Sequence, residues 1–208
     1  MKARFALLLT VILLARYSLT QNRSVPNPAL VASVESKLQH LGSSGAEPRP
    51  NTASTEFTEQ EINAYFASGK VELPAGVRSV AFQEQPGVVI ATSRVDFDQL
   101  KAGKNSYNPL LSVFSGVHDV VATAHAQGTG GQGLIHVDSV YLDGVEIPNF
   151  VLELFVQKYL KPKYPNLGID SRFALPAGID SATVGLHKVT VRAEVRICRH
   201  LVPLRALV

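Results

Sequence analysis

One four-residue phrase, each time followed by a β-branched residue, occurs twice in this chain, and each copy dictates the same change of direction. Leu73-Pro74-Ala75-Gly76-Val77 leads to Ser79 and an apolar, alternating run; Leu175-Pro176-Ala177-Gly178-Ile179 leads to Ser181 and another. Proline pins one backbone angle and glycine accepts a positive φ, so the pair makes a sharp entry into a strand. The copies lie 102 positions apart, too far for a solenoid repeat. A helical pattern stands ahead of each copy. The chain therefore reads as two helix–turn–hairpin units with an extra hairpin between them.

The first unit has a well-marked start. Thr58 and Glu61 form a capping-box pattern, with Phe57 and Ile62 at the staple positions. The helix carries Ile62, Tyr65 and Phe66 on its apolar side and stops at Gly69. Val77 to Glu84 and Val88 to Asp96 follow as a hairpin around Gln85-Pro86-Gly87. Residues 98–116 are less regular. Val117 to Gln127 and Leu134 to Leu142 form the middle hairpin, with Gly128-Thr-Gly-Gly-Gln-Gly133 as its loop. Asn149 is expected to cap a second helix, Phe150 to Leu160, in which only Glu153, Gln157 and Lys158 are polar. That predicts a long apolar helix covered on most sides. Strands near 179–186 and 189–197 complete the second unit. Val189, Val191, Ala193, Val195 and Ile197 alternate there with Arg192, Glu194 and Arg196, which gives one buried and one basic face.

Residues 1–20 read as a signal peptide: Lys2 and Arg4 precede an apolar run from Phe5 to Leu14, broken only by Thr10 and followed by Arg16. Ser18 and Thr20 suit cleavage before Gln21, and an uncleaved anchor is the alternative. The segment holds three basic residues and no acid, so the formal charge of +3 falls to zero without it. The basic balance is thus an address label and argues for no nucleic-acid partner. Residues 21–41 carry a short amphipathic helix (Leu30, Val34, Leu38 and Leu41), 42–55 a flexible linker, 56–198 a single domain and 199–208 a basic apolar tail. The helix is a tethered appendage, a membrane-proximal spacer or an element docked on the domain. Cys198 is the sole cysteine, which excludes an internal disulfide. It reads as a small structural hydrophobe, with an intermolecular disulfide as the alternative.

No chemistry is signposted. The glycine-rich loop lies between strands, whereas a phosphate cradle needs a strand-to-helix crossing. His118, His125 and His136 all fall in the middle hairpin, and His125 and His136 are expected to face each other across it. A metal would need Asp138, Asp119 or His118 as well, in a spacing that follows no ligand pattern, so these read as solvent-facing histidines and no metal or cofactor is expected. The serines lack a nucleophile elbow and the carboxylates are scattered. The expectation is a protein that is not an enzyme, with a hydrolase of unsignposted site as the weaker alternative. Phe150, Leu154, Phe155 and Tyr159 have two readings: ordinary core, or the lining of an apolar cavity between helix and sheet.

The order of these features resembles a family. It runs from a signal peptide to the helix Thr58-Glu-Gln-Glu-Ile-Asn-Ala-Tyr65, then Leu-Pro-x-Gly-Val and a hairpin ending Ala91-Thr-Ser-Arg-Val-Asp-Phe-Asp98. A middle hairpin, Gly144-Val-Glu-Ile-Pro148 and an apolar helix follow. This is similar to small exported bacterial proteins grouped with the tubular lipid-binding (TULIP-like) superfamily, over roughly residues 56–197. The resemblance implies an α+β fold in which a strongly curved antiparallel sheet of hairpins packs around a long apolar helix and a shorter helix. It implies no catalytic residues. It implies that a lipid or other hydrophobic molecule lies in a groove lined by Phe150, Val151, Leu154, Phe155 and Tyr159, to which Ile62 and Phe66 add. The protein is then expected to be periplasmic or extracellular, with Arg199 and Arg205 in the tail touching an anionic membrane surface or belonging to a disordered end. The alternative is a cell-envelope structural or protein-interaction domain with a filled core.

Overall fold

A computed structural model describes residues 26–44, 54–102, 108–176 and 178–193. The expected signal peptide, most of the expected 42–55 linker, Cys198 and the tail with Arg199 and Arg205 lie outside the described residues. The elements run α1 (Pro28–Ser44), β1 (Thr55–Thr58), α2 (Glu59–Ala67), β2 (Val77–Gln85), β3 (Val88–Asp96), a short α3 (Phe97–Leu100) and a 3-10 turn (Pro109–Leu111). They continue with β4 (Val117–Thr129), β5 (Gln132–Leu142), β6 (Val145–Glu146), α4 (Asn149–Phe155) with a π-helical extension (Val156–Leu160), β7 (Asp170–Ala174), β8 (Ile179–Gly185) and β9 (Lys188–Ala193). The architecture is mixed α and β, with an open antiparallel sheet of nine strands and four α-helices among the described residues.

The middle hairpin is the spine of that sheet. β4 pairs with β5 along one edge, and its other edge carries β3 at Val117–His125 and then β8 at Gln127 and Gly128. The free edge of β5 likewise carries β7 at 132–136 and β6 at 141–142. Two half-sheets thus share one long hairpin. Each half has its own apolar cluster. Val95, Phe97, Leu111, Phe114, Leu142 and Phe155 lie in one; Val34, Leu41, Phe57 and Val191 form the other.

The two copies of the phrase share their glycine conformation and their closing hydrogen bond. Gly76 and Gly178 hold φ of 94° and 88°, and the amides of Val77 and Ile179 donate to the carbonyls of Pro74 and Pro176 at 2.9 and 3.1 Å. A bulge follows each turn, between Val77 and Ser79 and between Ile179 and Ser181, so the repeated serine is where ladder pairing resumes. A side chain at Gly76 would collide with the Asp96 carbonyl and the Leu100 amide. The two hairpins then meet tip to tip: Gly87 N donates to Val184 O, and His187 N to Glu84 O, both at 3.0 Å.

The six-residue glycine loop expected from the sequence is in fact a two-residue turn. Only Gly130 and Gly131 turn, with φ of 60° and 72°, the primed geometry that suits a twisted hairpin. Gly128 and Gly133 lie inside the strands because neighbours crowd them: Ala182 and Leu175 against one, the Phe173 ring against the other.

The long apolar helix is likewise replaced. A seven-residue α-helix passes into a five-residue π-helical stretch, marked by the Lys161 N to Val156 O bond at 2.9 Å. Asn149 lies inside this helix; Pro148 occupies the cap and no side chain bonds there. The stripe Val151, Phe155 and Tyr159 is buried, while Phe150, Leu154 and Lys158 are exposed. Steps of four would rotate such stripes around a helix of 3.6 residues per turn, and the wider π-turn keeps them aligned. The helix is therefore amphipathic and covered on one side only. No helix of the described residues is long and apolar enough to cross a membrane.

α1 docks against α2 and β1, with Val34 and Leu41 in the second cluster beside Phe57. The polar centre of that contact is the buried Glu61 carboxylate. It closes the expected capping box through Thr58 N at 2.8 Å and also accepts from Ser33 Oγ at 2.6 Å and Lys37 Nζ at 2.7 Å. On the edge strand β2, Asn63 of α2 bonds both the N–H and the C=O of Phe82, at 2.7 and 2.8 Å, and so shields that edge from pairing with another chain.

Candidate functional site

The seven side chains expected to line one groove separate into three places. Val151, Phe155 and Tyr159 are buried in the first cluster. The Phe155 ring lies 4.2 Å from Phe114, 5.5 Å from Phe97 and 5.2 Å from Tyr159, centroid to centroid. Phe114 is 1% exposed, so the space between helix and sheet is filled with rings here. Ile62 packs on the second cluster, and Phe66 makes an edge-on contact with Phe82 at 4.9 Å, both outside the first cluster. Only Phe150 and Leu154 face outward, one turn apart, 58% and 39% exposed.

These two line a shallow depression of about 290 Å³ together with Glu153 and Gln157. A second depression, about 220 Å³, shares Glu153 and Gln157 and continues past Val156 to Lys161, Gly168 and Asp170. The outer face of α4 therefore forms a furrow, apolar at Phe150 and Leu154 and lined by the charges of Glu153, Lys161 and Asp170. Val145, also exposed, precedes the helix on β6. The sequence did hold a signal for this side: Phe150 and Leu154 lie in steps of four with Lys158, whose ammonium belongs in water.

Two titratable clusters lie outside the expected groove; sequence reasoning missed the first, whose residues are distant in the chain, and paired the histidines of the second without finding Asp170. The first lies where the hairpin tips meet. Glu59, at the start of α2, accepts from the Glu84 amide at 3.2 Å and holds the His187 ring at 2.7 Å, while its own amide donates to His187 O at 2.9 Å. The bond to His187 holds the Glu59 carboxyl below the usual carboxylate range. Glu84 is 2% exposed and its Oε2 has no hydrogen-bond partner among the described residues. Burial first, and the Glu59 charge second, push its carboxyl above the usual range.

A raised folded-state value means stability is greatest below the ordinary carboxylate range and is lost as pH rises through the raised value. Glu84→Gln removes the buried negative charge beside Glu59 and should therefore stabilise the fold at neutral pH, by about 1–3 kcal/mol, the scale of desolvating an uncompensated buried group. The gain should vanish in acid, where Glu84 is protonated in both states. Urea midpoints of the two proteins at pH 7 and pH 4 check both arms.

The second cluster lies on the spine. His125 and His136 are register partners, as the sequence predicts. His125 Nδ1 meets Asp138 at 2.8 Å and His136 Nδ1 meets Asp170 at 2.6 Å. His118 stands apart at the other end of β4, between Asp143 at 2.6 Å and the Ser115 carbonyl at 2.7 Å, which together raise its affinity for a proton. No group of three or more His, Cys, Asp and Glu among the described residues is placed to hold a metal ion.

No protein-family model, curated protein or solved structure matches this chain.

Proposed function

We propose that this is an exported, non-enzymatic protein that binds a lipid or another hydrophobic molecule, with the apolar chain lying along the outer face of α4. One observation carries the reading: Phe150 and Leu154 stand exposed side by side above a furrow, on a helix whose opposite stripe is fully packed. Covering such side chains gains roughly 0.8 kcal/mol per methylene removed from water. Lys161 at the far end of the furrow lies beside the carboxylates Glu153 and Asp170, so the furrow favours an apolar chain without selecting the charge of its head group. The resemblance to TULIP-like proteins, export by residues 1–20 and contact of Arg199 and Arg205 with an anionic membrane belong to the same proposal. The binding site differs from the one that resemblance implies, because it lies outside the helix and not between helix and sheet.

The test is native mass spectrometry of the protein purified from cells, with organic extraction and titration of a fluorescent fatty acid. Bound lipid and saturable uptake are expected. Leu154→Arg should leave the fold intact, since the position is exposed, and should weaken uptake about tenfold or more, the worth of one covered leucine. Absence of lipid and of fatty-acid binding sinks the proposal. The filled aromatic core favours a second reading, an envelope structural or interaction domain, in which Phe150 and Leu154 would contact another protein and no lipid would be recovered.

A further inference from the structure

We infer that His125 and His136 form a bis-imidazole site for a borderline divalent transition ion, with Zn²⁺ as its reference occupant. His125 on β4, His136 on β5 and Asp170 on β7 are successive register partners, so they form a row across three adjacent strands. Asp138, the residue left unpaired at the bulge between Val137 and Ser139, reaches His125 and so lies on the same face. Each ring uses Nδ1 on a carboxylate: His125 on both oxygens of Asp138, at 2.9 and 2.8 Å, and His136 on Asp170 at 2.6 Å. Neither Nε2 has a partner among the described residues.

That is the arrangement a metal-binding histidine needs. A carboxylate on one ring nitrogen fixes the tautomer, orients the ring and makes the other nitrogen a better donor. Directly opposed strand residues have Cβ atoms about 4.5–5.5 Å apart. Two rings on that base can reach one ion at about 2.0–2.1 Å from each nitrogen. Imidazole pairs suit zinc, copper and nickel, and disfavour calcium and magnesium. Both histidines line one groove of about 460 Å³, at the notch where β3 gives way to β8 along the edge of β4. Two protein ligands leave the remaining positions to water or to a ligand in the groove, so the ion should exchange readily. The spine hairpin, paired on both edges, supplies a rigid base. This site does not depend on lipid binding.

The experiment is a Zn²⁺ titration of the untagged full chain against a chromophoric chelator. The wild type should bind an equivalent that His125→Ala and His136→Ala each weaken about tenfold or more, and Asp170→Asn comparably, as loss of an orienting carboxylate does. His118→Ala should leave that equivalent unchanged. His125, His136 and Asp170 have largely accessible side chains and His118 a quarter-exposed one, and circular dichroism should show each variant folded. Cu²⁺ in the wild type should give electron paramagnetic resonance couplings from two imidazole nitrogens. No wild-type binding, or binding that survives both His125→Ala and His136→Ala, overturns the site.

Discussion

Replacing Phe155 by alanine should cost about 3–5 kcal/mol of stability, the usual range for a buried phenylalanine. Its ring is the hub of the first cluster, in contact with Phe97, Phe114 and Tyr159. Truncation removes the transfer energy of the ring and leaves a cavity bounded by α4 and the 108–116 segment, which cannot collapse without moving the helix. Against a typical domain stability of about 5–15 kcal/mol that is a large fraction. Phe150→Ala, one and a half turns away on the exposed stripe, should change stability by no more than about 0.5 kcal/mol. Guanidinium midpoints at constant m-value separate the two. The contrast matters for function. If Phe155→Ala barely changed stability and abolished fatty-acid uptake, the inner face would be a ligand cavity and the outer-face reading would be wrong.

The second large effect concerns the dock between α1 and the domain. Burial raises the Glu61 carboxyl, but hydrogen bonds from Lys37, Ser33 and Thr58 more than offset this and bring it from 4.5 down to about 2. At 1.36 kcal/mol per unit, that difference is worth roughly 3 kcal/mol. The folded value is depressed, so the contribution is complete above the unfolded value of 4.5 and is lost as pH falls toward about 2. Lys37→Met leaves the carboxylate buried without its cation and should cost about 3 kcal/mol at pH 7. The gap between variant and wild type should close as pH falls through that window. Urea midpoints at pH 7, 4 and 2.5 measure it; a gap that stays constant across the three would deny Glu61 this role.

What the sequence made legible was local. The Pro–Gly joints, the Thr58–Glu61 box, the Phe57–Ile62 staple, the hairpin at Pro86-Gly87 and the pairing of His125 with His136 each follow from neighbours or from strand register. The strands β1 and β7 were not legible, because four or five residues such as Thr55–Thr58 carry too short an alternation and form only against β9 or β5. The glycine loop misled because crowding by Phe173 and Ala182, which calls for Gly133 and Gly128, comes from residues 40 and 54 positions away. The helix misled for a subtler reason: composition counts apolar residues, whereas burial follows stripes, and the stripe through Phe150 and Leu154 ends in a lysine. The Ser33–Lys37–Glu61 node and the Glu59–Glu84–His187 junction join distant segments that only the fold brings together.

The most direct measurement of where a ligand sits is photocrosslinking with a diazirine-bearing fatty acid, followed by peptide mass spectrometry of the labelled chain. Label concentrated at Phe150, Glu153, Leu154 and Gln157, and lost in Leu154→Arg, is the predicted result. Label on Phe97, Phe114 or Phe155, or label spread without preference and unchanged in that variant, would contradict the outer-face site.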